Sequence, residues 1–129
     1  MKKGFTLVEV LIVMTLIGIL VAIIIPNYSS SVIRAKEAVL KENLFMLRDA
    51  INKFYMDKKK YPTALDDLVT NKYLRELPMD PFAKEAEWEL VHFEPEDPED
   101  FDPEIMEAII DIKSKTEGKA LDGSNYQDW

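Results

Sequence analysis

The sequence contains no cysteine, only one histidine and only four glycines in 129 residues. Without cysteine the chain has no disulfide, no thiolate nucleophile and no cysteine-ligated zinc. A single histidine, His92, excludes a zinc-binding histidine pair. The sequence also has neither a serine nucleophile elbow nor a phosphate-binding glycine loop. His92 alternates within a predicted strand, which favours a packed or edge position, so the sequence predicts that the protein is not an enzyme.

Basic residues are in deficit: 16 Lys and Arg stand against 24 Asp and Glu, which gives a formal net charge of -8. An acidic surface is repelled by phosphate backbones, so no direct nucleic-acid partner is expected. The length suits one domain of modest size once a membrane segment is set aside.

One long apolar run lies at residues 5–25 and contains a single ionisable residue, Glu9. As a helix at about 1.5 Å per residue, the run would span ~32 Å, close to the roughly 30 Å core of a bilayer. Two lysines precede it, which favours a cytoplasmic N-terminus and export of everything after Pro26. Residues 5–26 are therefore predicted to cross a membrane once.

Three interpretations compete for this segment. A secretory signal peptide has an apolar region of about 7–15 residues and a small-residue cleavage site, and neither feature fits. A plain membrane anchor explains the length but leaves Glu9 unexplained, because a charge inside a membrane helix costs on the order of 3 kcal/mol. The third interpretation gives Glu9 a role in assembly.

The third interpretation depends on a motif that resembles the class III signal of type IV prepilins and pseudopilins, Lys3-Gly4-Phe5-Thr6-Leu7-Val8-Glu9. The resemblance implies that a membrane-embedded prepilin peptidase cuts after Gly4 and N-methylates Phe5. It also implies a bacterial inner-membrane subunit with a periplasmic C-terminal domain. Such subunits polymerise with copies of themselves on an inner-membrane assembly platform.

The chemistry of Glu9 agrees with that resemblance. Cleavage would create a positive α-amine on Phe5, and methylation of an amine keeps its charge. Glu9 lies one helical turn away and would meet the amine of the same or a neighbouring subunit. Because an uncompensated buried charge is costly, the pair would report the correct axial register between subunits.

Gly18 and Pro26 weaken the helix, and a kink or local melting is expected at Pro26. The resemblance implies that the helix of pilin filaments can melt between such a glycine and such a proline. The alternative is that both are tolerated irregularities of a membrane helix.

Residues 27–60 are predicted to continue as an amphipathic helix that ends between residues 58 and 60. One face carries an apolar stripe of Ile33, Leu40, Leu44, Leu47, Ile51 and Phe54. Charged residues, including Glu37 and Arg48, mostly occupy the other sides. A helix packed on a sheet is favoured over a coiled coil because the stripe lasts only about three heptads.

Residues 63–86 are predicted to form a short helix and a loop. Thr63 is a candidate N-cap for a helix over residues 64–74. A second resemblance, to the G-type major pseudopilins of type II secretion systems, depends on Tyr61-Pro62-Thr63, Leu68-Val69, Tyr73-Leu74 and Leu77-Pro78-Met79-Asp80-Pro81-Phe82.

Two strands are predicted, at residues 87–93 and 108–113, and the first places Trp88, Leu90 and His92 on one face. A long helix followed by short strands indicates an α+β fold with a small antiparallel sheet laid on the helix, which is the type IV pilin fold that the resemblance implies. Between the strands, residues 94–104 read EPEDPEDFDPE. This acidic run is interpreted as a solvated loop that its prolines keep extended, although a calcium role is conceivable.

Residues 111–129 are similar to the closing strand and loop of G-type pseudopilins, in which a calcium ion often holds the loop. Residues 114–129 are called the C-terminal segment. The candidate oxygen ligands for Ca2+ are Ser114, Thr116, Glu117, Asp122, Ser124 and Asp128. The segment has fewer acids than the loop of that family. The favoured alternative is a Gly-Asp turn closed by Tyr126 and Trp129 packing on the core.

These observations predict three parts: a leader at residues 1–4, a membrane and polymerisation helix at 5–26, and a periplasmic domain at 27–129. The predicted function is that of a filament subunit, the major pseudopilin of a type II secretion pseudopilus. Its partners would include minor pseudopilins and the prepilin peptidase. The alternatives are a type IV pilin of a surface pilus and a membrane-anchored periplasmic binding module that never polymerises.

Overall fold

The computed structural model describes residues 3–96, 99 and 102–129. The chain forms two compact units, residues 1–35 and 36–129. The elements in chain order are helix α1 (Leu7–Lys58), helix α2 (Asp66–Thr70), strand β1 (Glu89–His92), helix α3 (Pro103–Met106), strand β2 (Ile109–Lys113) and a 3-10 helix (Tyr126–Asp128). The long helix and the small sheet confirm the predicted α+β class.

In the first unit, the part of α1 up to residue 25 is exposed and, apart from Glu9, apolar on nearly all sides. The large apolar side chains between residues 5 and 25 have exposed fractions from 43% at Val10 to 90% at Phe5. A helix that is hydrophobic all round belongs in a membrane or in a protein core. By length and composition, α1 contains a segment able to cross a membrane. This segment therefore fits a membrane-anchored protein.

Pro26 lies inside α1, and the helix continues through it. Local melting at Pro26 is therefore not seen in the isolated chain, and the alternative expectation, a kink, stays a prediction. Proline removes one backbone hydrogen bond, but its fixed φ is close to the helical value. The following turn adds side-chain hydrogen bonds: Asn27 Nδ2 donates to the Ile23 carbonyl at 3.2 Å, and Ser31 Oγ donates to the Asn27 carbonyl at 2.8 Å.

The core lies entirely in the second unit. The predicted stripe supplies much of it, since Leu40, Leu44, Leu47, Ile51 and Phe54 are each 5% exposed or less. Ile33 is 37% exposed and does not join them, because it belongs to the first unit. The core is completed from the rest of the chain by Ala50, Leu68, Trp88, Ile109, Ile112, Ala120 and Tyr126.

Strands β1 and β2 pair antiparallel, with Leu90 opposite Ile112 and a bulge between Val91 and His92. Of the three residues predicted to share one face of the first strand, Trp88 is buried, whereas Leu90 and His92 are exposed. The buried apolar residues come from β2 instead, and the bulge shifts the register of the short β1. Trp88 precedes β1, is 3% exposed, and its Nε1 donates to the Pro78 carbonyl at 3.0 Å.

Helix α2 is shorter than predicted, and Thr63 does not cap it. The N-cap position is Leu65, which has no capping side chain. The Asp67 carboxylate instead accepts from the Ala64 N–H at 3.1 Å. The helix ends at Thr70 because Lys72 turns to φ 65°, outside the helical region.

Part of the acidic run forms a helix rather than an extended loop. Asp102 caps α3, since its Oδ1 accepts from the Glu104 N–H at 3.0 Å, and Pro103 occupies the first turn, where a missing N–H costs nothing. The described residues of the run are exposed except the half-buried Pro95. Residues 97, 98, 100 and 101 lie outside the described part of the chain, so the solvated-loop prediction is not assessed there.

Asp80 organises the proline-rich turn that carried the second resemblance. Its side chain is fully buried. Oδ1 accepts from the N–H groups of Phe82 (2.8 Å) and Ala83 (3.2 Å), and Oδ2 accepts from Ser114 Oγ (2.6 Å) and Thr116 Oγ1 (3.1 Å). The carboxylate therefore closes its own turn and attaches that turn to the chain that follows β2.

Candidate assembly site and the C-terminal segment

The N-terminal end of α1 is closed by a capping box between Thr6 and Glu9. The Thr6 N–H donates to Glu9 Oε2 at 2.9 Å, and the Glu9 N–H donates to Thr6 Oγ1 at 3.2 Å. Two backbone donors that a helix start leaves unpaired are thus satisfied reciprocally. The negative charge of Glu9 also lies in the first turn, where the helix dipole favours it.

This second role of Glu9 was not predicted above, although its sequence signal is present. Thr-x-x-Glu before an apolar run is the recognised pattern of a capping box. The role predicted for Glu9 was only to pair with the amine that cleavage would create. In the uncleaved chain described here, the partner of Glu9 is Thr6.

The fold of the isolated chain does not explain either glycine of the N-terminal region. A Cβ added at Gly4 or at Gly18 would meet nothing within 4 Å, and neither residue has a left-handed φ. Gly18 lies inside α1, where glycine costs about 1 kcal/mol relative to alanine. Of the predicted processing and assembly residues, Gly4, Phe5 and Glu9 lie at the N-terminal end of α1. Gly18 and Pro26 lie further along the helix.

The candidate calcium ligands of the C-terminal segment are engaged separately. Ser114 is buried and donates to Asp80. Asp122 Oδ1 accepts from the Ser124 N–H at 2.9 Å and from Ser124 Oγ at 2.6 Å. Asp128 Oδ2 accepts from Asn125 Nδ2 at 2.9 Å. Thr116 joins Ser114 at Asp80, and Glu117 is exposed.

This donor set does not fit a calcium ion, which takes roughly six to eight oxygen ligands. Among the residues that the structure describes, no group of three or more acids or histidines is placed to hold a metal. The pKa of Asp122 is lowered chiefly by the hydrogen bonds from Ser124, so its negative charge already has donors within the turn.

Glu37 and Arg48 were expected among the solvent-facing charges of α1, but both hold distant parts of the chain. Glu37 Oε1 accepts from the Leu121 N–H at 2.8 Å and from Tyr126 Oη at 2.9 Å. Arg48 donates to Asp111 Oδ1 at 2.7 Å and to the Trp129 carbonyl at 2.8 Å. Because both side chains hold distant parts of the chain, Glu37 and Arg48 are called the clamp residues. No local sequence signal indicates these roles, since the partners lie 63–89 positions away.

Tyr126 and Trp129 pack on the core, as the favoured alternative for this segment predicted. Tyr126 is 5% exposed, and its ring lies 4.7 Å from that of Phe82 and 5.1 Å from that of Trp129, between centroids. Burial, the hydrogen bond to Glu37 and the charge of Glu37 together raise the pKa of Tyr126 to about 12.

The capping box, the exposed apolar helix and the helix-on-sheet domain define a type IV pilin-like protein. The family model described as "Prokaryotic N-terminal methylation motif" matches residues 1–25. Type II secretion system core protein G of Pseudomonas aeruginosa is 32% identical over 97 residues, which cover 63% of this chain and 68% of that protein. Core protein G of Vibrio cholerae is 28% identical over 102 residues, covering 67% of this chain and 70% of that protein.

The type IV major pilin protein PilA of Myxococcus xanthus is 44% identical over 60 residues, 46% of this chain but only 27% of that pilin. No solved structure matches the chain. The chain belongs to the family of type IV pilin-like proteins that includes type II secretion system core protein G. None of the names above designates an enzyme, in agreement with the sequence prediction.

Proposed function

We propose that this chain is the major pseudopilin of a type II secretion pseudopilus, a filament that supports the export of folded proteins. The similarity to core protein G carries the proposal. The alignment is 97 residues long and covers 63% of this chain, whereas α1 has 52 residues. The similarity therefore includes parts of the chain outside the helix that all pilin-like proteins share. The similarity to the type IV pilin covers less of this chain and about a quarter of the pilin.

The precursor would be cleaved after Gly4 and N-methylated at Phe5 by a prepilin peptidase. Two observations support this. The methylation-motif family model matches this region, and the fold gives no reason of its own for a glycine at position 4. Phe5 is 90% exposed next to the helix start, where an enzyme can reach the bond before it.

Assembly would use the apolar part of α1. Its side chains are exposed in the single chain, and burial against copies of the same helix would remove this surface from lipid or water. After cleavage, the α-amine of Phe5 would compete with the Thr6 N–H for the Glu9 carboxylate. A neighbouring subunit at the correct axial position would then be the one that pairs both charges.

Deletion of the gene in the organism that encodes it tests the choice of filament. We expect secreted proteins to accumulate in the periplasm while surface pili remain visible by electron microscopy. Loss of surface pili with normal secretion would favour the second candidate, a type IV pilin. The observation behind this candidate is the 44% identity to the Myxococcus pilin over 60 residues.

Complementation with point variants tests the assembly mechanism. We expect Glu9→Ala to abolish filaments while mass spectrometry still finds residues 1–4 removed. Thr6→Val is the matched control, because it removes the cap of α1 but keeps the carboxylate charge, and it should retain filaments. Normal filaments from Glu9→Ala would contradict the role of the charge, and equal loss in both variants would assign Glu9 to helix capping instead.

A further inference from the structure

We propose that Glu37 holds the C-terminal segment on α1 and that this attachment takes the place of a divalent cation. The clamp residues Glu37 and Arg48 both lie on α1 within the second unit, residues 36–129. They approach residues 120–129 with charges of opposite sign. The inference does not depend on which filament the subunit forms.

The polarity of the turn at residues 120–124 supports this proposal. The turn is closed by the Ala120 N–H donating to the Ser124 carbonyl at 2.7 Å and the Gly123 N–H donating to the Ala120 carbonyl at 2.9 Å. A loop that binds calcium directs oxygen acceptors to one point. Here, instead, two donors converge on the single atom Oε1 of Glu37: the Leu121 N–H of the turn and the hydroxyl of Tyr126, two residues after it. Such a point favours an anion and repels a cation.

Side chains of α1 supply positive charge to the other end of the segment. Arg48 Nη2 donates to the carbonyl oxygens of Trp129 (2.8 Å) and Ile112 (3.0 Å), and Lys41 Nζ lies 4.3 Å from the centroid of the Trp129 ring. Trp129 Nε1 donates to Ser124 Oγ at 2.7 Å. The Trp129 carbonyl and Ser124 Oγ, two oxygens of this segment, are therefore paired with donors of the chain.

Inside the turn, the remaining acidic group is also satisfied. Asp122 accepts both hydrogen bonds of Ser124, and its charge stays at the exposed tip of the turn. Gly123 adopts φ 89°, a left-handed conformation that favours glycine, so the turn is shaped by its own backbone. The segment thus has a folded geometry that needs no ion.

The experiment uses the full chain purified in detergent micelles, with Glu37→Ala, Glu37→Gln and the matched control Glu42→Ala, an exposed glutamate on the same helix. Two quantities are measured: the melting temperature with excess CaCl2 or with EDTA, and the rate of tryptic cleavage after the exposed Lys119 in the native state. The rate reports local opening of the segment, and the melting temperature reports any bound cation.

We expect the wild-type melting temperature to be the same in CaCl2 and in EDTA. Glu37→Ala should increase the cleavage rate about ten-fold or more, because two hydrogen bonds to a charged group are lost. Glu37→Gln keeps a hydrogen-bond acceptor but no charge, so it should give an intermediate cleavage rate. Being nearly isosteric, it also provides a folded variant for the comparison if Glu37→Ala does not fold. Glu42→Ala should match the wild type.

Two outcomes would overturn the proposal. A higher melting temperature in CaCl2 than in EDTA would show that the segment binds the cation after all. A wild-type cleavage rate in both Glu37 variants would show that Glu37 does not hold the segment.

Discussion

At the scale of single residues, carboxylates accept hydrogen bonds from well-separated parts of the chain. Asp80 is fully buried and accepts four hydrogen bonds, two from its own turn and two from residues 34 and 36 positions further on. A buried carboxylate is tolerated only when its lone pairs are satisfied in this way. Glu37 follows the same pattern with two donors to its Oε1, whereas the Glu9 carboxylate accepts one hydrogen bond, from the nearby Thr6 N–H.

We therefore expect Asp80→Ala to lower the free energy of unfolding by roughly 3 kcal/mol, because buried donors lose a charged acceptor. Asp80→Asn should cost less, since the amide oxygen still accepts from one pair of donors. Denaturant unfolding followed by tryptophan fluorescence measures both. The exposed Asp66 is the control, and Asp66→Ala should stay within about 0.5 kcal/mol of the wild type. Equal stability of Asp80→Ala and Asp66→Ala would contradict the role given to Asp80.

Residue roles could be predicted from the sequence only where the partners are close along the chain. Thr6 and Glu9 are three positions apart, so the capping box could have been recognised from spacing alone. The partner of Asp80 could not, because nothing near Leu77-Pro78-Met79-Asp80 indicates Ser114. The same applies to Glu37, whose charge looked like ordinary solvent-facing charge until the fold placed Tyr126 beside it.

At the scale of elements, α1 was predicted well and the short elements were not. A stripe from Leu40 to Phe54 repeats often enough to define a buried face, and α1 ends at Lys58, within the predicted interval. Strand β1 has only four residues and a bulge. The alternation of its side chains was therefore too short to predict which of them are buried. Helix α2 ends after five residues, just before Lys72 adopts a positive φ. No glycine or proline stands there to predict this end from the sequence.

The C-terminal segment should respond to alkaline pH through Tyr126. Its pKa is about 12 in the folded chain, against an ordinary value of 10.0. A raised pKa means that the stabilisation is fully present below pH 10 and is lost as the pH rises from about 10 to 12, because the unfolded chain releases the proton first. We expect the urea midpoint of Tyr126→Phe to fall less than that of the wild type when the pH rises from about 9 to about 11.

Tyr28→Phe provides the comparison, since Tyr28 is 70% exposed and lies in the first unit. This variant should show the same fall in the urea midpoint as the wild type. If Tyr126→Phe also behaves like the wild type, the hydroxyl is not held by Glu37 in solution.

At the scale of the whole molecule, the two units differ in what they bury. The core residues all lie between Leu40 and Tyr126, and the apolar side chains at residues 5–25 are exposed. The sequence predicted this contrast from the long apolar run, since a helix that is apolar on all sides cannot remain in water. The sequence alone did not reveal that so much of the second unit depends on polar contacts between distant residues.

We expect a fragment of residues 27–129 to be monomeric and to unfold cooperatively without detergent, because every removed residue that the structure describes, 3–26, is exposed. The full chain should require detergent. Size-exclusion chromatography with light scattering and a urea transition followed by circular dichroism measure these properties. Aggregation of the fragment, or a transition without cooperativity, would mean that the second unit needs the removed helix to fold.

The clamp residues have a consequence for the order in which the second unit folds. The contacts of Arg48 and Glu37 with residues 121–129 join positions 81–89 apart along the chain. Closing such long loops is entropically costly and slows folding. The helix and the β1–β2 pair can form from nearer neighbours, but the docking of residues 120–129 needs almost all of this unit to be present. Until residues 120–129 dock, the second unit would therefore remain incomplete, with the part of its core that Ala120 and Tyr126 supply left open.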